Sequence, residues 1–124
     1  MSDDAKIDFA KLDAMGAPRR VLEAGEKVFL ETDRGDVMYI VRQGRIDIIT
    51  YGTVLENVRA GGMFGEMALI DGGERSAAAM AAETSEVVAV DRPTFLSLIR
   101  DDPEFALTVM TILAARIRRM NEQI

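Results

Sequence analysis

Along the chain, short apolar runs broken at regular intervals by glycine give way near Asp91 to a longer, helical rhythm. Before that point, Gly25, Gly35, Gly44, Gly52, Gly61, Gly62 and Gly72 separate segments rich in β-branched and aromatic residues. Residues 37–41, 46–51 and 54–58 are the clearest strands. Short strands and turns at this spacing predict an antiparallel sandwich or jelly roll. Residues 76–82 are rich in alanine, which alone favours helix. They are nevertheless read as a strand, with 85–91 as its hairpin partner across Glu83-Thr84.

Helical periodicity brackets the strands. Residues 8–15 predict a short helix with Phe9, Leu12 and either Ala5 or Met15 on one face, closed by Gly16. Asp91 can cap a helix with Pro93 in its first turn, followed by Phe95, Leu96, Leu98 and Ile99. Asp102-Pro103 repeats that start for a longer helix. In it, Ala106, Met110, Leu113, Ile117, Met120 and Ile124 alternate spacings of four and three, the seam of a coiled coil. Phe105, Val109 and Ile112 form a second stripe suited to docking the helix on its own roll. The seam predicts a weak homodimer through the C-terminal helix; the alternative is that it completes the monomer core or covers a ligand. The predicted fold is thus mainly β with helices: one domain over 1–124, an antiparallel, jelly-roll-like β-roll over about 20–91, preceded by a helix and followed by two C-terminal helices over about 92–124.

Composition narrows the function. A chain of 124 residues suits one domain with a real core. Zero cysteines exclude disulfides and thiolate metal sites, and zero histidines remove the commonest general base and transition-metal ligand together. A formal charge of −6 argues against a nucleic-acid partner. No apolar run approaches the ~20 residues needed to span a bilayer, and Met1-Ser2-Asp3-Asp4 does not resemble a signal peptide. The expectation is a cytoplasmic, soluble domain that is not an enzyme, with no catalytic cofactor, no metal and no membrane partner.

The chemistry concentrates in 64–78, Phe-Gly-Glu-Met-Ala-Leu-Ile-Asp-Gly-Gly-Glu-Arg-Ser-Ala-Ala. Gly65 precedes a short helix-compatible piece, 66–70, whose first backbone N–H groups favour an anion. A second glycine turn leads to Arg75, whose planar fork suits phosphate. Glu66 is out of place beside an anion unless it accepts hydrogen bonds from sugar hydroxyls. Phe64, Met67 and Leu69 read first as core.

This segment resembles the phosphate-binding cassette of the cyclic-nucleotide-binding domain family, the sensor type found in the bacterial catabolite activator and in protein kinase A regulatory subunits. Ala24-Gly25-Glu26, Gly35-Asp36-Val37-Met38-Tyr39, Gly44 and Ala60-Gly61-Gly62 fit the same pattern, so the similarity runs from about Arg20 to the C-terminus. The resemblance implies a binding site for cyclic AMP. In it, Arg75 pairs with the cyclic phosphate, helped by backbone N–H groups around Gly65, Ala68 and Ala77, and Ser76 adds a hydroxyl. Glu66 accepts from the ribose 2′-hydroxyl, flanked by Met67. Ile48 and Leu55 line the base pocket. Arg116 falls where bacterial activators place an arginine that pairs with the cassette glutamate.

Two departures bear on this. Glu74 brings a negative charge next to Arg75, and Met120 stands where bacterial activators use a small hydroxyl residue against the adenine amino group. Asn121 becomes the nearest polar candidate, and cyclic GMP remains the alternative ligand. An enzyme on a cupin-like roll would hold its metal largely through histidines, which are absent. Many bacterial relatives carry a helix-turn-helix after the long helix; the chain ends at Ile124 without one. The expectation is therefore no direct DNA binding, with the sensor half of a larger transcriptional regulator as an alternative. A degenerate pocket serving only protein interaction is a further alternative, against which Glu66 and Arg75 speak.

Overall fold

The computed structural model describes residues 6–122. Helix α1 (Phe9–Ala14) starts at Asp8, whose carboxylate accepts from the Ala10 amide at 3.0 Å. Leu12 is buried and Phe9 packs against the core, but Met15 is exposed; Ala5 lies outside the described residues.

Among the described residues, eight strands form two antiparallel four-stranded sheets. They are β1 (Arg19–Leu22), β2 (Lys27–Phe29), β3 (Val37–Gln43), β4 (Arg45–Thr50), β5 (Thr53–Arg59), β6 (Met63–Phe64), β7 (Ala78–Ala81) and β8 (Ser85–Asp91). The first sheet has the order β1-β8-β3-β6, the second β2-β7-β4-β5. Helix α2 (Glu66–Asp71) interrupts the strands between β6 and β7; α3 (Arg92–Asp101) and α4 (Pro103–Glu122) follow β8. The antiparallel roll between an N-terminal helix and two C-terminal helices is the fold expected from the sequence. Among the described residues, no helix is long and apolar enough to cross a membrane.

The expected 76–91 hairpin is not formed. β7 starts at Ala78, after Ser76 and Ala77, and pairs with β2 and β4; β8 pairs with β1 and β3. Glu83-Thr84 therefore carries the chain from one sheet to the other instead of folding it back. Gly44 makes the opposite crossing between β3 and β4, and the two crossings touch. The Ser85 hydroxyl accepts from the Arg45 amide at 3.1 Å and donates to the Glu83 carbonyl at 2.8 Å. A Cβ on Gly44, which sits at φ 92°, would lie 2.2 Å from that hydroxyl oxygen. A polar pair between two apolar runs signals a turn, but it does not specify whether the chain returns in the same sheet or in the opposite one.

The first sheet is covered on both faces. Met38, Ile40, Val88 and Val90 pack against Phe95, Leu98, Phe105, Val109 and Ile112 of α3 and α4. Val41 and Val87 point the other way, joining Leu22, Ile46, Val58, Phe64, Ala79 and Ala81 between the sheets. A strand buried on both faces needs apolar residues at successive positions, which accounts for the unbroken run Val87-Val88-Ala89-Val90. The alanines of β7 serve a central strand in which Ala79 and Ala81 are fully buried and leave no space for bulk.

Candidate functional site

The site assembles around Arg75, which is only 5% exposed. Its backbone is fixed by the loop between β2 and β3: the Arg75 amide donates to the Asp33 carbonyl at 2.7 Å, and the Thr32 amide donates to the Arg75 carbonyl at 2.9 Å. The side chain then passes beneath Gly35. A Cβ there would lie 2.6 Å from both Arg75 Nε and Ala68 Cβ, so only glycine leaves the passage open. Beyond it the guanidinium forks, donating from Nη1 to the Gly65 carbonyl at 2.8 Å and from Nη2 to the Val37 carbonyl at 2.7 Å. It stacks on Phe29, 4.1 Å from the ring centroid, and Phe29 belongs to an aromatic cluster with Tyr39 and Phe64. Nε is buried and has no hydrogen-bond partner. Burial lowers the Arg75 pKa from its ordinary value, opposed by Tyr39, Asp36, Asp33 and Glu66; an arginine so placed remains a cation.

Gly65 begins α2 in the left-handed conformation at φ 77°, and Gly72 ends it at φ 75°. This brackets one short helix that presents Glu66 inward. Glu66 is 6% exposed and accepts from Arg116 Nη1 at 3.1 Å. Arg116 also donates from Nε to Glu56 at 3.0 Å and from Nη2 to the Met63 carbonyl. The sequence-predicted contact between Arg116 and the cassette glutamate is thus present. Of the three residues read as core, Phe64 and Leu69 are buried, whereas Met67 is 59% exposed. It lies on the outer side of a one-and-a-half-turn helix whose inner side is taken by Glu66, Ala68 and Leu69.

A cavity of about 800 Å³ opens between α2, the 74–77 turn, the β4–β5 ribbon and the end of α4. The structure brings every sequence-predicted site residue to its wall: Gly65, Glu66, Met67, Ala68, Arg75, Ser76 and Ala77 on the cassette side, Ile48 and Leu55 on the ribbon, and Arg116, Met120 and Asn121 on α4. Phe29, Glu56 and Arg119 also line it and were missed. Glu56 accepts from Arg119 Nη2 at 2.9 Å, a partnership 63 residues apart in sequence that no local pattern announces. The wall combines a buried cation, a buried carboxylate and apolar side chains. Among the described residues, no group of carboxylates could hold a metal ion.

Comparison with known proteins gives concordant results. Residues 19–102 match the family model described as "Cyclic nucleotide-binding domain". The chain is 36% identical over 105 residues to the cyclic AMP receptor protein of Thermus thermophilus, covering 81% of this chain and 49% of that protein. It is 33% identical over 79 residues to the cAMP-dependent protein kinase regulatory subunit of Yarrowia lipolytica, covering 64% of this chain and 21% of the relative. The crystal structure of the Thermus thermophilus catabolite activator protein superposes with a TM-score of 0.77 at 34% identity, covering 91% of this chain and 55% of that one. The chain thus spans about half the length of the bacterial relative.

Proposed function

We propose that this chain, which belongs to the cyclic nucleotide-binding domain family, is a non-catalytic sensor whose ligand is cyclic AMP. The observation that carries this reading is the juxtaposition in one cavity wall of a buried arginine and a buried glutamate, each held by its own hydrogen-bond network. The cyclic phosphate lies against Arg75, with Ser76 and the backbone N–H groups of Gly65, Ala68 and Ala77 completing its shell. Glu66 accepts from the ribose 2′-hydroxyl. Ile48 and Leu55 face the base, and Met67, Met120 and Asn121 close over the ligand. The name of the Thermus relative, a cyclic AMP receptor, supports adenine over guanine.

The output in this reading is mechanical. Ligand binding tightens the end of α4 over the base, because Arg116, Met120 and Asn121 contact the cavity only from that helix. A ligand shifts such an equilibrium through contacts that differ between the two states. Met110, Ile117 and Met120 of the seam are exposed, which supports pairing of two copies through α4, whereas Leu113 packs against the monomer's own core; Ile124 lies outside the described residues. The chain serves as the sensor portion of a larger regulator, in keeping with its match to about half of the Thermus protein.

The deciding experiment is a calorimetric titration with cyclic AMP and cyclic GMP, repeated on Arg75→Ala. Charged hydrogen bonds worth ~1.5–3 kcal/mol each imply a loss of roughly tenfold to a few hundredfold, at ~1.4 kcal/mol per decade. Unchanged affinity in the variant would remove Arg75 from the site. Absence of binding by either nucleotide would leave only a protein-interaction module.

A further inference from the structure

The resemblance assigns no role to Glu56, yet this residue sits at the junction of everything that closes the cavity. It lies on β5 directly across the ladder from Ile48, and its side chain is 25% exposed. Its carboxylate accepts from Arg116 Nε at 3.0 Å and from Arg119 Nη2 at 2.9 and 3.3 Å. The remaining nitrogens of Arg116 are engaged with Glu66, at 3.1 Å, and with the Met63 carbonyl. The Arg116 guanidinium is thus held on three sides, and Glu56 and Glu66 are tied to the same planar group. Leu55, Glu56, Arg116 and Arg119 are also shared with a second groove of about 570 Å³ that adjoins the main cavity, so these four residues form the partition between the two.

We infer that Glu56 is a positioning residue of the nucleotide site, holding Arg116 in the orientation that aims the Glu66 carboxylate into the cavity. The geometry supports this role. Without Glu56, the Arg116 guanidinium loses the acceptor of its Nε and keeps Glu66 and the Met63 carbonyl. Arg116 would then turn to share Glu66 differently, and the Glu66 oxygens would move with it. Charge-assisted bonds to a planar guanidinium fix direction as well as distance. Loss of Glu56 therefore alters where Glu66 points before it alters whether the site exists.

This rests on Glu66 meeting the ribose 2′-hydroxyl, and the test separates the two ideas. Glu56→Gln keeps the shape and removes the charge. It lowers affinity for cyclic AMP about tenfold, equal to ~1.4 kcal/mol, while affinity for 2′-deoxy cyclic AMP changes less than about twofold. Glu56→Asp recovers most of the discrimination. In a Glu66→Gln background the Glu56 substitution adds no further loss, the non-additivity of residues acting through one partner. Equal losses for both nucleotides, or additive losses in the double variant, would reduce Glu56 to a structural contact and overturn the inference. If the unmodified protein bound neither nucleotide, the functional reading would fall, and amide hydrogen exchange on ligand-free protein would decide the positioning role. Faster exchange around Arg116 in Glu56→Gln upholds it; identical rates refute it.

Discussion

Gly35 offers a way to disable the arginine without touching it. A methyl group at this position would lie 2.6 Å from Arg75 Nε, 2.7 Å from its Cζ and 2.6 Å from Ala68 Cβ. The first two atoms belong to a side chain that could move, but it is pinned between Phe29 and two carbonyl acceptors. The third belongs to a buried residue of α2 that has no rotamer to change. Overpacking of this kind costs ~1–3 kcal/mol. For a domain of this size, that corresponds to a fall in Tm of roughly 4–12 °C. Gly35→Ala also lifts the guanidinium off at least one carbonyl, so cyclic AMP affinity falls tenfold or more although Arg75 is still present. Thermal melts followed by circular dichroism and calorimetric titration read the two effects. Gly73→Ala is the control, because the added methyl meets only the Asp71 side chain, at 3.1 Å. In an Arg75→Ala background the stability cost of Gly35→Ala shrinks, since part of the clash has been removed. A Gly35→Ala protein that melts within a degree of the original and binds nucleotide equally well would refute the steric argument.

Two further outcomes follow from the helices. Asp91 caps α3 by accepting from the Thr94 amide at 3.0 Å, so Asp91→Ala lowers stability by ~0.5–2 kcal/mol in denaturant melts. Hydrogen bonds from Thr94, side chain and then backbone, hold the Asp91 carboxyl below its ordinary value. The capping contribution is therefore present above about pH 4 and is lost as pH falls through the depressed folded-state value; Asp91→Ala flattens that part of the acid limb. Self-association through α4 predicts a sedimentation coefficient that rises with concentration and is larger with cyclic AMP than without; a protein monomeric at high concentration in both states would remove the seam as an interface.

Strands β3, β4 and β5 were legible because each is short, β-branched and bounded by glycine, and the C-terminal helices because Asp91-Arg92-Pro93 and Asp102-Pro103 announce them; the short β1, β2 and β6 carry too few residues to show a pattern. Arg75 and Glu66 stood out because a phosphate-suited fork and a misplaced acid share one glycine-bounded segment. Apart from Arg116, named through the resemblance, the partners that hold them did not stand out. Phe29, Val37 and Glu56 reach the site from strands that neighbour it only after both sheets have closed, so their roles are properties of the packing. The 76–91 hairpin failed for the same reason: Glu83-Thr84 has turn chemistry, but the choice between returning and crossing is made by the strands already waiting on either side.

Helix α4 is attached by two different adhesives along its length. Phe105, Val109, Ile112 and Ala115 bury the first three turns against the roll, while Arg116 and Arg119 beyond them form ion pairs with Glu56 and Glu66. Apolar adhesion weakens on cooling and has no charge for salt to screen; partly exposed ion pairs weaken as ionic strength rises. Temperature and salt thus act as separate handles on the two ends of one rod. Raising salt loosens the tip that overhangs the cavity while the base of the helix stays seated, so the tightness of the lid depends on the ionic surroundings of the molecule as well as on its ligand.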